Sequence, residues 1–342
     1  MSVREQLFGA DARRFTIANA NGLSCSLITF GATLVSLRAP DRGGTAENIV
    51  LSLESLDHYQ NTPNFLGSTV GRFANRIGGA AFLIDGVRYE VPANEAPNHL
   101  HGGPEGFHQK NWDASILDDQ TVRFRCESPD GEGGYPGNAH VTVTYTLNDG
   151  NELITTYGAE TDAPTLVNMT NHAYWNLAGA GRGDVLGHHV RLESDAYLEV
   201  DEGLIPTGRR IVVDGGPLDF REARRIGERI SEAPLAPRWK RGYDHCFVIR
   251  QDGEMSLAAT VHEPASGRKM TVHTSQPTFM FYTGNSLDGV QGAGGCMYSQ
   301  YGGFCLEMQH HPDAPNHPEF PSTILRPGEI YRERTIHRFS TL

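Results

Sequence analysis

The chain has 342 residues, 20% of them charged and 38% hydrophobic, which is the balance of a globular protein. Its 29 basic and 41 acidic side chains give a formal net charge of -12, a surface that repels phosphate backbones and argues against nucleic-acid and anionic-membrane partners. No run of 18 apolar residues is present, which excludes a helical membrane span.

The opening Met1-Ser2-Val3-Arg4-Glu5-Gln6 lacks the apolar stretch of a secretion signal, so none is expected. Five cysteines (25, 126, 246, 296 and 305) are scattered, odd in number and without a CxxC pair. That usage predicts reduced thiols in a cytoplasmic protein, not a disulfide framework or a zinc site.

Apolar and polar residues alternate through Phe15-Thr16-Ile17-Ala18 and again from Ser24 to Phe30, predicting strands around an Asn19-Ala20-Asn21-Gly22 turn. Asp41-Arg42-Gly43-Gly44 predicts a turn before Asn48-Ile49-Val50-Leu51. Residues 81–91 read as a hairpin with Asp85-Gly86 at its tip. Residues 141–147 put Val141, Val143, Tyr145 and Leu147 on one face and threonines on the other. Residues 256–260 and 269–274, joined through Pro264-Ala265-Ser266-Gly267, predict a further hairpin. Helical spacing appears only at 53–59 and, weakly, at 220–230.

The 39 glycines and 19 prolines are spread evenly, and no repeat or linker stands out. Many strands with frequent turns predict an all-β fold, a large antiparallel β-sandwich with few short helices, spanning 1–342 as one domain.

Six polar clusters interrupt this pattern. Gly71-Arg72-Phe73-Ala74-Asn75-Arg76-Ile77-Gly78 holds two guanidinium forks around an amide; taken alone it reads as a solvated turn. Asn98-His99-Leu100-His101-Gly102-Gly103 places two imidazoles at i and i+2, which extended backbone would turn to one side and into a shared pocket. His99, His101 and Glu105 also match the HxHxxxE spacing of a cupin metal strand, although Gly102-Gly103-Pro104 would break that strand before the glutamate.

Thr170-Asn171-His172-Ala173-Tyr174-Trp175-Asn176-Leu177 is too polar for a plain core strand. Its aromatic faces suit sugar C–H faces and its amides suit sugar hydroxyls. Gly242-Tyr243-Asp244-His245-Cys246 brings an acid to the mouth of an apolar strand, and Phe281-Tyr282-Thr283-Gly284-Asn285 follows. In Phe304-Cys305-Leu306-Glu307-Met308-Gln309-His310-His311, Glu307 interrupts an apolar run, where a carboxylate is costly unless paired or functional. His310 and His311, being adjacent, read as loop residues.

Together and in this order, the six clusters resemble the aldose 1-epimerase (galactose mutarotase) family, from about Phe30 to Leu325-Arg326-Pro327-Gly328-Glu329. The resemblance implies a galactose mutarotase-like supersandwich with an open sugar cleft, no metal and no cofactor. It implies an isomerase of cyclic aldoses in which Glu307 is general base, His172 is general acid and His101 assists at the ring oxygen. Asn75, Arg76 and Asp244 would bind sugar hydroxyls, with Tyr174 as a further substrate contact. Many members carry a glutamine where this chain has Met280, so one hydroxyl contact is expected to be missing and galactose is not assumed.

The working state this implies has Glu307 ionised and His172 protonated. From reference values of about 4.3 and 6.5, mutual attraction should lower the first and raise the second. Competing readings are a non-catalytic carbohydrate-binding protein on the same sandwich, a glycoside hydrolase using Asp244 and Glu307, and a metal-dependent cupin. The expected partner is a monosaccharide, and the oligomeric state is open between monomer and homodimer.

Overall fold

The structure, a computed structural model, describes residues 2–234 and 241–342. Five strands open the chain, β1 (Arg4–Phe8), β2 (Ala12–Ala18), β3 (Ser24–Ile28), β4 (Thr33–Pro40) and β5 (Ala46–Asn48), and pair in sequence order as an antiparallel meander. The predicted turn at 19–22 joins β2 to β3. After β4, the Asp41 carboxylate accepts the N–H groups of Gly43 (2.8 Å) and Thr45 (2.9 Å), which closes the second predicted turn.

The helix expected at 53–59 is α1 (Leu56–Asn61), starting later because Ser55 caps it by accepting the His58 N–H at 3.3 Å. The weaker candidate at 220–230 is not a helix. The Ile226 and Gly227 N–H groups bond to the His188 and Leu186 carbonyls, so only short 3₁₀ turns form there. At 81–91 the hairpin is present, with Asp85 and Gly86 both at positive φ (52° and 81°), as a two-residue type I′ turn requires.

Fourteen further strands build two larger sheets: β6 (Asp113–Asp118), β7 (Thr121–Ser128), β8 (Ala139–Leu147), β9 (Glu152–Thr161), β10 (His189–Leu192), β11 (Ser194–Val200), β12 (Pro206–Val212), β13 (Arg224–Arg225), β14 (Asp244–Ile249), β15 (Ser256–His262), β16 (Arg268–Thr274), β17 (Thr278–Tyr282), β18 (Cys305–Gln309) and β19 (Tyr331–Thr341). Nine of them form one sheet in the order β6-β7-β8-β9-β19-β16-β15-β10-β13, and five form another in the order β12-β11-β14-β17-β18. Among the described residues, no helix is long and apolar enough to cross a membrane.

Period-two alternation assigns the faces. On β8, Val141, Val143, Tyr145 and Leu147 are buried while the threonines between them are half-buried on the outer side, as the sequence predicts. Those four join Phe15 and Ile17 of β2 and Phe247, Phe279, Phe281, Leu306 and Met308 of the five-stranded sheet in one apolar cluster. These three sheets, the five-stranded meander, the nine-stranded and the second five-stranded one, therefore share a core, the antiparallel sandwich expected from the sequence. Because side chains alternate, the residues between those apolar ones (Asp244, Met280, Tyr282, Cys305 and Glu307) must face the other way. That opposite face carries the cleft.

The last strand, β19, lies in the middle of the nine-stranded sheet, bonded to β9 on one side and β16 on the other. Removing it leaves two interior ladders unpaired. A chain ended at Glu329 is expected to yield no soluble folded protein; a far-ultraviolet spectrum and cooperative unfolding like the full chain's would contradict this placement.

Candidate active site

The Arg72-Phe73-Ala74-Asn75-Arg76 segment, which alone reads as a solvated turn, is buried. Arg72 is 2% exposed and spends its guanidinium on protein: Nε on Ser128 Oγ (2.9 Å), Nη2 on the carbonyls of Ser128 (2.7 Å) and Pro129 (2.9 Å), and Nη1 on Pro136 O (2.9 Å) and Thr165 Oγ1 (3.0 Å). It is a strut. Arg76 instead reaches the cleft, gripped in bidentate fashion by Glu95, with Nε at 2.5 Å and Nη2 at 2.9 Å.

The two histidines at 99 and 101 do not share a pocket. Only His99–Leu100 is strand, paired with Arg76–Ile77; His101 has φ 53°, and that left-handed residue breaks the i, i+2 rule. His99 is a satisfied core histidine: its Nδ1–H donates to Pro92 O (2.7 Å) and its Nε2 accepts from Tyr135 OH (2.7 Å). Glu105 is exposed, so the cupin-like trio does not assemble. His101 turns into the cleft, where its Nδ1 accepts the Asn75 N–H at 3.1 Å while its backbone N–H returns to Asn75 O at 3.1 Å. A backbone N–H can only donate. The other ring nitrogen of His101, Nε2, therefore carries the hydrogen.

His172 follows the short Thr170–Asn171 strand. The Asn171 amide fixes that corner, donating to Gly67 O (2.6 Å) and Tyr145 OH (3.1 Å). The His172 Nδ1 lies 3.6 Å from Cys305 Sγ, and its Nε2 lies 3.6 Å from Glu307 Oε2. Glu307 is 3% exposed, in mid-strand on β18, and its Oε2 is buried without a hydrogen-bond partner among the described residues. A buried, unbonded carboxyl oxygen costs a native protein several kcal/mol and is kept only for a purpose.

Asn75, Arg76, His101, His172, Tyr174, Asp244 and Glu307, brought from five separate stretches of chain, line one open cleft of about 170 Å³. Every site residue expected from the sequence reaches it. His310 and His311 do not: as expected they follow β18 as loop residues, His310 bonded to Glu333 (3.1 Å) and His311 packed on Phe320.

Met280 is also outside the cleft lining. It lies in register beside Glu307, in an apolar cluster with Phe73, Leu198 and Cys246. Sequence reading missed Phe65 and Glu95. Phe65 stands in a short loop with no period to mark it, and the Glu95 contact to Arg76 comes only with the fold.

Electrostatics reverse one expectation. Burial pushes Glu307 up to about 8, with Asp244 adding to the rise and Arg76 opposing it. Burial pushes His172 down to about 4, against the pull of its own carbonyl. Mutual attraction was expected to do the opposite, and desolvation outweighs it. Asp244, half-buried, rises to about 6 through burial, with Arg76 opposing and Glu95 adding to it. His101 falls well below the usual imidazole range, chiefly through burial and then through His172 and Arg76.

Donor atoms of His101, His172 and Glu307 lie within 4.8 Å of one another, a set whose chemistry suits a divalent transition metal. The His101 ring fits such an ion poorly, because Nδ1 is taken by the Asn75 N–H and Nε2 bears hydrogen.

Residues 13–338 match the family model described as aldose 1-epimerase. The chain belongs to the aldose 1-epimerase family. It is 43% identical to the galactose mutarotase of Rattus norvegicus over 333 residues, which cover 97% of this chain and 95% of the rat protein. To the aldose 1-epimerase of Escherichia coli (strain K12) it is 39% identical over 334 residues, 97% of this chain and 96% of that one. Among solved structures, an aldose epimerase homologue from C. elegans superimposes with a TM-score of 0.89 at 35% identity, covering 96% of this chain and 98% of the other. A galactose 1-epimerase from Lactobacillus acidophilus gives 0.84 at 28% identity, covering 99% and 97%.

The raised Glu307 carboxyl carries a stability consequence. Its folded value lies above its unfolded one, so its contribution is whole below about 4.3 and is lost as pH rises through about 8. Glu307→Gln cannot ionise. The variant is expected to match wild type near pH 4 and to exceed it at pH 9, by an amount on the order of a few kcal/mol. Urea midpoints at the two pH values check this; a gap independent of pH would contradict the buried, protonated carboxyl.

Proposed function

We propose that this chain interconverts the α and β anomers of a free aldose by general acid–base opening and closure of the ring. A base removes the C1 hydroxyl proton while an acid protonates the ring oxygen, the C1–C2 bond rotates, and closure returns both protons. The observation that carries the reading is the Glu307–His172 pair, a carboxyl and an imidazole 3.6 Å apart, both buried and both facing one open cleft.

In this reading Glu307 is the base at the C1 hydroxyl and His172 the acid at the ring oxygen. His101 Nε2–H is a neutral donor to that same oxygen, which stabilises charge without giving up a proton. Asn75, Arg76, Asp244 and Tyr174 hold the remaining hydroxyls and the ring face. Proton transfers between oxygens and nitrogens are the whole of this chemistry, so the chain's own side chains suffice for it. General acid–base assistance is worth roughly 10²–10⁴-fold per group, and holding the sugar in reach of both groups adds to that.

The proton count sets the pH dependence. With Glu307 near 8 and His172 near 4, the pair holds one proton between those values. At rest that proton is on the carboxyl; the working form has the same count with the proton on the imidazole. Below about 4 the pair has no base, and above about 8 it has no acid. The anomerisation rate is therefore expected to be flat through neutrality and to fall about tenfold per pH unit above the upper limb. Polarimetry of freshly dissolved α-glucose across pH checks it, and a rate still climbing at pH 9.5 would remove the cationic acid from the mechanism.

Glu307→Gln is nearly isosteric and is expected to cut the same rate by roughly 10² or more while leaving the circular dichroism unchanged. Wild-type turnover by this variant would refute Glu307 as base.

We also propose that 1–342 is a single domain in the cytoplasm acting on a monosaccharide, without nucleic-acid or membrane partners. The core shared by the three sheets of five or more strands and the central place of β19 support the first part. Five cysteines, none in a disulfide, support the second.

A further inference from the structure

We infer that Phe65 is a positioning residue for His172: together with Tyr174 it offers the imidazole near-parallel aromatic faces that favour its cationic form during turnover. This rests on the acid role given to His172 above and says how a buried imidazole reaches the charge that role needs.

The Tyr174 ring lies 5.0 Å from the His172 ring, tilted only 24°, and the Phe65 ring lies 5.9 Å from it, tilted 21°. Both separations are within the distance at which an aromatic face attracts a cation, and the His172 ring, 5% exposed, is largely removed from the solvent that would weaken the attraction. Phe65 also packs against His101 (4.8 Å) and His108 (4.7 Å), so one side chain touches three imidazoles.

Its backbone is held for the task. Phe65 has φ 53°, a left-handed conformation that a bulky residue rarely adopts. Ser68 N–H donates back to Phe65 O at 3.0 Å, closing the turn that presents the ring. Such strain persists where surrounding structure enforces it, and it gathers at functional sites.

Other groups around His172 leave room for this role. Glu307 attracts a charged imidazole, and burial keeps the Cys305 thiol protonated and neutral. His101 and His108 are neutral at working pH and would repel only if protonated. Across the cleft, Asp244 favours the cation and Arg76 opposes it. Burial is the remaining force against charging His172, and Phe65 and Tyr174 cause part of that burial themselves. An aromatic wall can desolvate without forbidding the cation because its face carries partial negative charge.

The sign of the effect separates the two possibilities. If Phe65 only excludes water, weakening its face changes nothing and removing it raises the His172 midpoint. If its face holds the cation, weakening the face lowers that midpoint. The test places phenylalanine analogues of increasing ring fluorination at position 65, which drain the face while keeping the shape. Phe65→Leu and Phe65→Tyr serve as the loss and rescue variants.

The His172 titration is followed by nuclear magnetic resonance of ring-labelled histidine, and anomerisation by polarimetry. The expected result is a stepwise fall in kcat, about 5- to 30-fold from unfluorinated to fully fluorinated ring, with KM unchanged. The His172 midpoint should fall by about one pH unit over the same series. Phe65→Leu should lower both and Phe65→Tyr restore both. A midpoint that rises or stays fixed on fluorination overturns the inference. So does a KM that rises while kcat holds, which would make Phe65 a platform for the sugar. Absence of turnover in the wild type would refute the epimerase reading, yet the titration would still report on the ring contact.

Discussion

A dry carboxyl beside a dry imidazole is the constraint on which this site depends. Two unit charges 3.6 Å apart attract by about 4 to 5 kcal/mol at the effective dielectric of a protein site. Removing each ion from water costs several kcal/mol, and here there are two ions. The attraction loses, the resting pair is neutral, and one proton stays on Glu307.

The surroundings sharpen that result. Met280 is the cross-strand neighbour of Glu307, and Cys246 and Cys305 occupy the same face, so the strand floor beside the carboxyl is a thioether and thiols, which are weak hydrogen-bonding groups. Sugar hydroxyls, arriving as donors and acceptors, supply what the floor withholds.

Much of this was legible in the chain. Period-two runs on β8 and β2, and the turn residues that predict the β15–β16 hairpin, gave strands and faces because alternation and turn chemistry are local. Glu307 was legible for the same reason: a carboxylate in an apolar strand is a local contradiction. The fate of His99 and His101 was not, since one left-handed residue separates them and the pattern Asn-His-Leu-His-Gly-Gly does not announce it. Arg72 and Arg76 look alike in sequence. Only the fold brings the carbonyls at 128, 129 and 136 to one and Glu95 to the other. The direction of the pKa shifts was misjudged because reference values and pairwise attraction are visible in a sequence and depth of burial is not.

What each imidazole can do follows from the atom its Nδ1 meets. At His99 a carbonyl accepts from Nδ1, Nε2 takes a tyrosine hydroxyl, and no capacity remains. At His101 a peptide N–H donates into Nδ1. Protonation there would set hydrogen against hydrogen, so this ring offers a fixed neutral donor and cannot shuttle a proton. At His172 the Nδ1 neighbours are a thiol, which both donates and accepts weakly, and the ring's own carbonyl, which supports the protonated ring. Of these three only His172 meets surroundings that admit both protonation states, and only His172 has a carboxyl within reach of its other nitrogen. The division of labour among chemically identical side chains is thus written in backbone placement: Asn75 at φ 67° and His101 at φ 53° bring a peptide N–H to one ring and leave the other free to titrate.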